Sequence, residues 1–372
     1  MRLLDRYLLR ELLIPLGYCL GGFLIFWITT DVFAELNKFQ RYHLRTGDIV
    51  EYYVAKTPEV LVTILPLALL LALLYALCNH ARHHELTAMR AAGIHLWRLA
   101  MPYFGVAALL GAGLFALNEY AVPEGAEKAE SILLRYDTGA TNVQSHWQRS
   151  VVFNNQVEGR TWYIGAYHVP TYRMYRLHLE WRLPDGARRQ ITAEHAYRTN
   201  GQWMLLEVED VTIPAGTAVP PAPAKLDSLL LPELSETPRL IVSEIKIGRL
   251  SNIKTARRTY LNIGEIQEYL RLHPQLDAQR RDLLLTMLHS RASAPFTCLV
   301  VVLIALPFGA ASGRRNVFVG VASSVFICFA FFVLRELFVA MGGGGRLAPW
   351  LAAWAPNAVF GLAGLIQTQR TR

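Results

Sequence analysis

The residues with the most evident chemical potential lie in one short polar stretch, NHARHHELTAMRAAGIHLWR, at positions 79–98. His80 and His84 are four residues apart, so on a helix both imidazoles would lie on one face and could share a metal ion. No acidic residue or cysteine completes a tetrahedral set of ligands at a familiar spacing. We therefore expect no metal site in this stretch.

Sequence motifs for catalysis are missing from the chain. It lacks the phosphate-binding loop G-x-x-x-x-G-K-[ST], so we expect that it does not itself bind the phosphates of ATP. It also lacks the G-x-S-x-G turn of hydrolases and the H-E-x-x-H pair of zinc proteases. The sequence thus predicts a protein that is not an enzyme and that needs no cofactor.

A few ionisable residues lie near the ends of apolar stretches, and two interpretations of them stay open. Their side chains can extend to the interface and simply remain solvated, which is common near the ends of membrane helices. They can also form the charged rim of a cavity that receives an anionic lipid. The residues concerned are Asp31, Glu35, Glu59, Glu119, Arg335 and Glu336.

Six apolar stretches, three on each side of a long polar block, must position these groups. Each is about 18–24 residues long, the length at which a helix crosses ~30 Å of hydrocarbon. Backbone groups in that region have no water to bind, so each stretch must be a helix. The stretches lie near residues 12–30, 58–78, 97–117, 294–311, 317–340 and 348–367.

The distribution of lysine and arginine predicts how these helices are oriented. With the N-terminus in the cytoplasm, the short inner segments hold Arg2, Arg6, Arg10, Arg82, Arg90, Arg98, Arg314, Arg315, Arg370 and Arg372. The short outer segments hold fewer basic residues, namely Lys38, Arg41, Arg45, Lys56 and Arg346. This asymmetry predicts that both termini are cytoplasmic and that the polar block lies outside. The net charge of +8 therefore reflects topology and does not indicate nucleic-acid binding.

The polar block has the alternation of β-strands. In MYRLHLEWRL, Leu177, Leu179 and Trp181 point to one side and the polar residues between them point to the other. Asn200-Gly201 predicts a two-residue hairpin turn, and further strands are predicted at SVVFNN, RTWYIGAY and LIVSEIKI. The pattern predicts an antiparallel sandwich or an open jelly roll. All four cysteines lie in apolar stretches, so the block must be stabilised by a packed core.

The apolar face of these strands has two possible uses. Leu177, Leu179 and Trp181, together with the many aromatic residues of the block, suit the filled core of a small domain. They equally suit an apolar groove for a lipid. The sequence alone does not choose between them.

The stretch at 79–98 is long enough for a cytoplasmic helix of about three turns near residues 80–93, with Gly93 as its C-terminal stop. Such a helix between membrane spans can receive force from a soluble motor. It can also be an interfacial connector whose charges remain in water.

Several runs in this order resemble the lipopolysaccharide-export permeases of the LptF/LptG (YjgP/YjgQ) family. The most specific is HHELTAMRAAGIHLW, in which Glu85, Met89 and Gly93 match the family's coupling-helix pattern, with Arg90 beside them. The other runs are LDRYLLRELL, TPEVLVTILPLALLLALLYAL, VPEG, the strand pattern W-Y-I…I-T-A-E-H-A…W-M-L, and LHSRASAPFTCLVVVLIALPFG. The resemblance covers nearly the full length.

The resemblance implies an α+β membrane protein with six transmembrane helices and an inserted periplasmic antiparallel β-jelly-roll domain. The corresponding boundaries are 1–118 for the first helical half, 119–261 for the β domain, and 262–372 for an interfacial helix and the second half. It places the protein in the bacterial inner membrane as a transporter subunit that extracts lipopolysaccharide and passes it to a periplasmic bridge toward the outer membrane. It further implies a paralogous permease, a cytoplasmic ATPase dimer, and in many systems a single-span bitopic subunit.

The resemblance also nominates residues. Glu85 would meet a basic residue of the ATPase, and the first and fifth spans would form the lipid gate. Gly21 and Gly22 lie in the first span, with Asp31 and Lys38 beyond them, and Arg335 and Glu336 lie in the fifth. Some members carry basic residues where the first span meets the periplasm. Here that region holds Asp31, Glu35 and Lys38, of which two are acidic. The resemblance therefore does not by itself imply a lysine–phosphate contact there.

Two further questions concern the type of permease. The L-D-R-Y start favours the LptG-like paralogue over the LptF-like one. The alternative function is a mechanotransmission permease that acts on lipoproteins or another envelope lipid. Such permeases usually have four spans with an ectodomain after the first, an arrangement that this sequence does not share. A purely structural membrane scaffold is a third possibility.

Overall fold

The computed structural model describes residues 3–134, 147–169, 171–216, 221–250, 260–310 and 317–370. The chain divides into two compact units. The first contains Met1–Arg41, Arg45–Ala129 and Asp277–Arg372, and the second contains Tyr42–Leu44 and Glu130–Leu276. Four of the arginines used to predict the orientation, Arg2, Arg314, Arg315 and Arg372, lie outside the described residues.

The first unit is helical, and α1 and α2, with 39 and 37 residues, are much longer than the apolar stretches that predict them. A π-helical segment, Leu117–Ala121, joins α4 to α5. Two of the helices, α6 and α7, belong to the second unit. The helices are α1 Leu3–Arg41, α2 Thr46–Arg82, α3 Glu85–Ala91, α4 Leu96–Ala116, α5 Val122–Leu134, α6 Pro238–Arg249, α7 Ile263–Leu272, α8 Ala278–Ser293, α9 Phe296–Ala310, α10 Val317–Gly343 and α11 Pro349–Arg370.

Within the described residues, five helical stretches are long and apolar enough to cross a membrane: α1, α2, α4 continued through α5, the part of α10 from Val325, and α11. The fourth predicted span, near residues 294–311, is different, because α8 and α9 are bent by 56° at the break between them. Six spans result if this bent pair counts as one. The predicted fold class, a multi-span helical protein with an antiparallel β domain, is confirmed.

The core of the helical unit is formed mainly by α2, α4 and α9. Leu69 and Leu73 of α2 and Val301 and Val302 of α9 are completely buried in one apolar cluster. Close helix approach requires glycine at Gly364, where a β-carbon would lie only 2.7 Å from the Leu303 carbonyl oxygen. A side chain there would force the helices apart, since interiors pack with almost no free space.

The second unit contains one six-stranded antiparallel sheet in which each strand pairs with its neighbours in sequence. Asn200 and Gly201 have φ of 50° and 83°, as the predicted hairpin turn requires. The strands are β1 Trp147–Asn155, β2 Arg160–His168, β3 Arg173–Arg182, β4 Arg188–Thr199, β5 Gln202–Ile213 and β6 Ala224–Leu231.

One predicted strand is wrong. The run LIVSEIKI lies in α6, which begins with Pro238 in its first turn after the N-cap residue Thr237. Leu240 and Ile241 of α6 are buried in the same apolar cluster as the inner face of the sheet. The helix covers that face, which an additional strand at the edge would leave exposed to water.

The start of α7 is stabilised by a capping box. The Asn262 side chain accepts a hydrogen bond from the Glu265 amide at 2.7 Å, and the Glu265 carboxylate accepts one from the Asn262 amide at 2.9 Å. Ile266, Tyr269 and Leu272 of α7 are buried.

Candidate functional site

The short helix α3 is shaped by the residues on either side of it. His84 has a φ of 56° and separates α3 from α2, and Gly93 has a φ of 83° just beyond its end. Glycine suits this left-handed conformation because it has no β-carbon to clash. The helix has two turns, fewer than the three expected near residues 80–93, because His80 and Arg82 belong to α2.

The predicted coupling residues divide between two sides of α3. Leu86 is buried and Met89 packs partly against the apolar cluster of the helical unit. Arg90 and Gly93 are exposed. Such a division anchors the helix on one side and leaves a basic surface on the other.

Glu85, the first residue of α3, is bound by two other helices. The Tyr7 hydroxyl of α1 donates to its carboxylate oxygens, with distances of 3.1 Å to Oε1 and 3.0 Å to Oε2. The Nδ1 atom of His80, on α2, lies 2.7 Å from Oε2. One carboxylate therefore connects the start of α1, the end of α2 and the start of α3.

The surroundings of Glu85 favour its charged form. Partial burial alone would raise the pKa of this carboxyl group, but the hydrogen bonds from His80 and Tyr7 outweigh burial and lower it. An ionised carboxylate only accepts hydrogen bonds, so the proton between the two groups belongs to Nδ1 of His80. The Glu85 side chain is thus a negatively charged acceptor at neutral pH.

Two further polar contacts hold α1 near its N-terminal end. Arg98 of α4 lies 2.9 Å from the Asp5 carboxylate, and the Asn79 amide of α2 lies 3.5 Å from the Glu11 carboxylate. These contacts lie close to Tyr7 in the sequence of α1. They are independent of α3.

At the opposite end of α1, Asp31 pairs with α2. Its carboxylate accepts from Tyr53 at 3.0 Å and from the Lys56 ammonium group at 3.1 Å. The same ammonium group lies 4.8 Å from the centre of the Trp27 ring, within the range of a cation–π contact. Lys38 pairs instead with Glu35, at 2.9 Å. The structure does not bring Asp31 and Lys38 together.

Lys56 is a candidate site residue that sequence reasoning overlooked. The signal was available, since Lys56 is the single lysine or arginine between Thr46 and Ala81 of a highly apolar helix. A charge in that setting normally has a specific partner. The sequence offers no means of choosing Asp31 as that partner, because the two residues lie on different helices.

Arg335 and Glu336 of α10 contact each other at 3.0 Å. Arg335 also reaches the Ser290 hydroxyl of α8 at 3.4 Å, whereas the Glu336 side chain is 71% exposed. The two predicted gate residues thus form one pair beside α8.

The first and fifth predicted spans have the least covered helices of the bundle. Only 11% of the apolar stretch of α1 and 17% of that of α10 is buried within the chain, against 67% for α2. A β-carbon placed at Gly21 or Gly22 would have no other atom within 4 Å. Both glycines therefore leave α1 open to close approach by another helix.

The three predicted groove residues lie in different environments. Leu177 and Leu179 are completely buried in the core between the sheet and α6. Trp181 is partly exposed, and the Arg160 guanidinium lies 4.2 Å from its ring centre. In the structure the space that a groove would occupy at Leu177 and Leu179 is filled by side chains.

No cluster of three or more potential metal ligands occurs among the described residues, His80 and His84 included. Several polar groups of the helical unit instead form pairs between helices, such as Asp31 with Lys56 and Asp5 with Arg98. Such pairs can transmit movement from one helix to another.

The sequence matches the family described as lipopolysaccharide export system permease LptF/LptG over residues 6–370. The match covers nearly the whole chain, including both helical halves and the β unit. No curated protein matches the sequence.

Proposed function

Because the chain belongs to the LptF/LptG family of lipopolysaccharide export permeases, we propose that it extracts lipopolysaccharide from the inner membrane and passes it to a periplasmic bridge leading to the outer membrane. The observation that carries this proposal is the match over residues 6–370. Lipid export also requires long apolar helices, and the chain has them.

The energy for extraction would come from a cytoplasmic ATPase dimer. The chain has no phosphate-binding loop, and α3 has a buried side that anchors it and an exposed side with Arg90. We place α3 and both termini in the cytoplasm and the β unit in the periplasm. Glu85 would contribute to the ATPase interface, together with Met89, Arg90 and Gly93.

The lipid would enter between this chain and a paralogous permease. The low burial of α1 and α10 supports this arrangement, since apolar helices with open glycines are suited to close packing against another protein. The gate would then be formed by α1 of one permease and α10 of the other, with Arg335 near the arriving lipid phosphates. A bitopic subunit with a periplasmic domain is a further partner in this proposal.

The β unit would receive the acyl chains on the side of Leu177, Leu179 and Trp181. Because the two leucines are buried under α6, that step requires α6 to move away from the sheet. The LptG-like identity remains our preferred assignment, and the L-D-R-Y start supports it. A mechanotransmission permease for lipoproteins or another envelope lipid is the alternative.

The proposal is tested by purifying the chain from native bacterial membranes and identifying the bound proteins and lipids by mass spectrometry. We expect a paralogous permease, an ATPase and lipopolysaccharide, whereas the chain alone should hydrolyse no ATP. Recovery of lipoproteins in place of lipopolysaccharide would support the alternative. Recovery of no ATPase would contradict a role as a transporter subunit.

Glu85→Lys tests the ATPase contact. We expect weaker association with the ATPase, by about 2–5 kcal/mol if the charge is desolvated at the interface. Glu180→Lys makes the same charge change on a half-exposed residue of β3 and should leave association unchanged. Normal ATPase binding and lipid export by the Glu85→Lys variant would exclude Glu85 from the interface.

A further inference from the structure

The Glu85 carboxylate is already occupied within the chain. Both of its oxygens lie within hydrogen-bonding distance of Tyr7, and one also lies 2.7 Å from His80. The rings of Tyr7 and His80 are themselves in contact, with centres 5.6 Å apart. The carboxylate therefore does more than present a negative charge to a soluble partner.

His80 makes this contact structurally necessary. Its side chain is completely buried, and its Nε2 atom has no hydrogen-bond partner in the described part of the chain. Burying a polar group without a partner is unfavourable, so the Nδ1–Glu85 bond is the interaction that allows the imidazole to occupy this position. Glu85 and His80 thus fix the orientation of the turn between α2 and α3.

Tyr7 extends the same connection to α1. Leu8, Leu12 and Leu16 of α1 are buried in the apolar cluster of the helical unit, and polar contacts of the same segment add to this packing. Near the inner end, Asp5 binds α4 and Glu11 contacts α2, whereas Tyr7 binds α3. A displacement of α3 can therefore reach α1 directly through the Tyr7 hydroxyl.

We propose that Tyr7 and His80 are positioning residues that clamp α3 to α1 and α2 through Glu85, so that movement of α3 is transmitted to α1. This inference rests on the proposed function, in which an ATPase moves α3 and α1 forms part of the lipid gate. It assigns to Glu85 a second role inside the chain.

The decisive variant is Tyr7→Phe, which removes one hydroxyl and keeps the ring against His80. It is studied in the complete transporter, reconstituted in vesicles that contain lipopolysaccharide. ATPase association should stay within about twofold of the unmodified protein. The number of ATP molecules hydrolysed per lipid extracted should rise severalfold, because α3 moves without carrying α1.

Hydrogen exchange of the α3 backbone amides gives a readout that does not depend on transport. Loss of one hydrogen bond to a charged group corresponds to a change of about tenfold or more in a local opening equilibrium. We expect such an increase in the exchange of α3 in Tyr7→Phe. Tyr75→Phe removes a hydroxyl from an exposed position on α2 and should change neither exchange nor coupling.

Glu85→Gln completes a double-mutant cycle with Tyr7→Phe. If Tyr7 acts through Glu85, the double variant should hydrolyse no more ATP per lipid extracted than the worse of the two single variants. Additive effects, or an unchanged ATP-to-lipid ratio in Tyr7→Phe, would overturn the clamp. If the unmodified chain binds no ATPase at all, it is the proposed function that fails, and the two failures are thus distinguishable.

Discussion

At the scale of single residues, the β unit contains a buried ion pair that the sequence does not reveal. Glu236 is completely buried, and its carboxylate accepts from Arg160 at 3.0 Å and from Asn155 at 3.1 Å. Its backbone oxygen accepts from the Trp203 indole at 2.7 Å. These contacts connect the segment before α6 to three strands of the sheet.

Removing the positive partner should destabilise the β unit. Arg160→Met leaves the Glu236 charge buried without compensation, which typically costs about 3–5 kcal/mol. Arg176→Met removes an arginine from the exposed pair with Glu194 and should cost under ~1 kcal/mol. Unfolding of the purified protein, followed through its β-strand circular dichroism, measures both. If the two substitutions lower the stability of the β unit equally, the buried pair contributes no more to stability than the exposed pair.

The polar residues of interest could be predicted from sequence more readily than their partners. Glu85, Asp31 and Arg335 are conspicuous as charges in or beside apolar helices. The Glu236–Arg160 pair is inconspicuous, because its members are 76 residues apart and each lies in an ordinary polar segment. Pairing of this kind depends on tertiary packing, which a local pattern does not encode.

At the scale of elements, the period of the apolar residues distinguished the long helices from the strands. For one short segment it predicted the wrong element. The run LIVSEIKI alternates well enough to predict a strand, yet it forms part of α6. A segment of eight residues is short for either pattern, so the need to cover the sheet decides the outcome. In β3, Arg176 has a φ of 52° and shifts the alternation, which explains why Met174 is buried together with Leu177.

Cross-links between elements test the proposed gate. After replacement of the native cysteines, cysteine pairs joining α1 of one permease to α10 of the other should block lipid extraction once oxidised, because the two helices can no longer separate. Reduction should restore extraction.

Pairs that join α2 to α9 within the chain serve as the control, since these helices are already packed together in the core. Their oxidation should have little effect. Normal extraction through efficiently cross-linked α1 and α10 would place the entry elsewhere.

At the scale of the whole molecule, the orientation is an expectation from charge and can be measured directly. Asp185 lies in a turn of the β unit and Gln369 is exposed near the end of α11. In cells with a permeabilised outer membrane, a membrane-impermeant maleimide should label Asp185→Cys and should not label Gln369→Cys. After the inner membrane is also disrupted, both should react. Labelling of Gln369→Cys in intact cells would reverse the proposed topology.

The strand order of the sheet also has a kinetic consequence. Every strand pairs with its neighbour in sequence, so the β unit has a low contact order for a β structure, and low contact order favours rapid folding. The unit ends at Leu276, before α8 begins. It can therefore complete its fold during synthesis while the last three apolar helices are still emerging from the ribosome. A stable β unit would then already exist when the two halves of the helical bundle first meet.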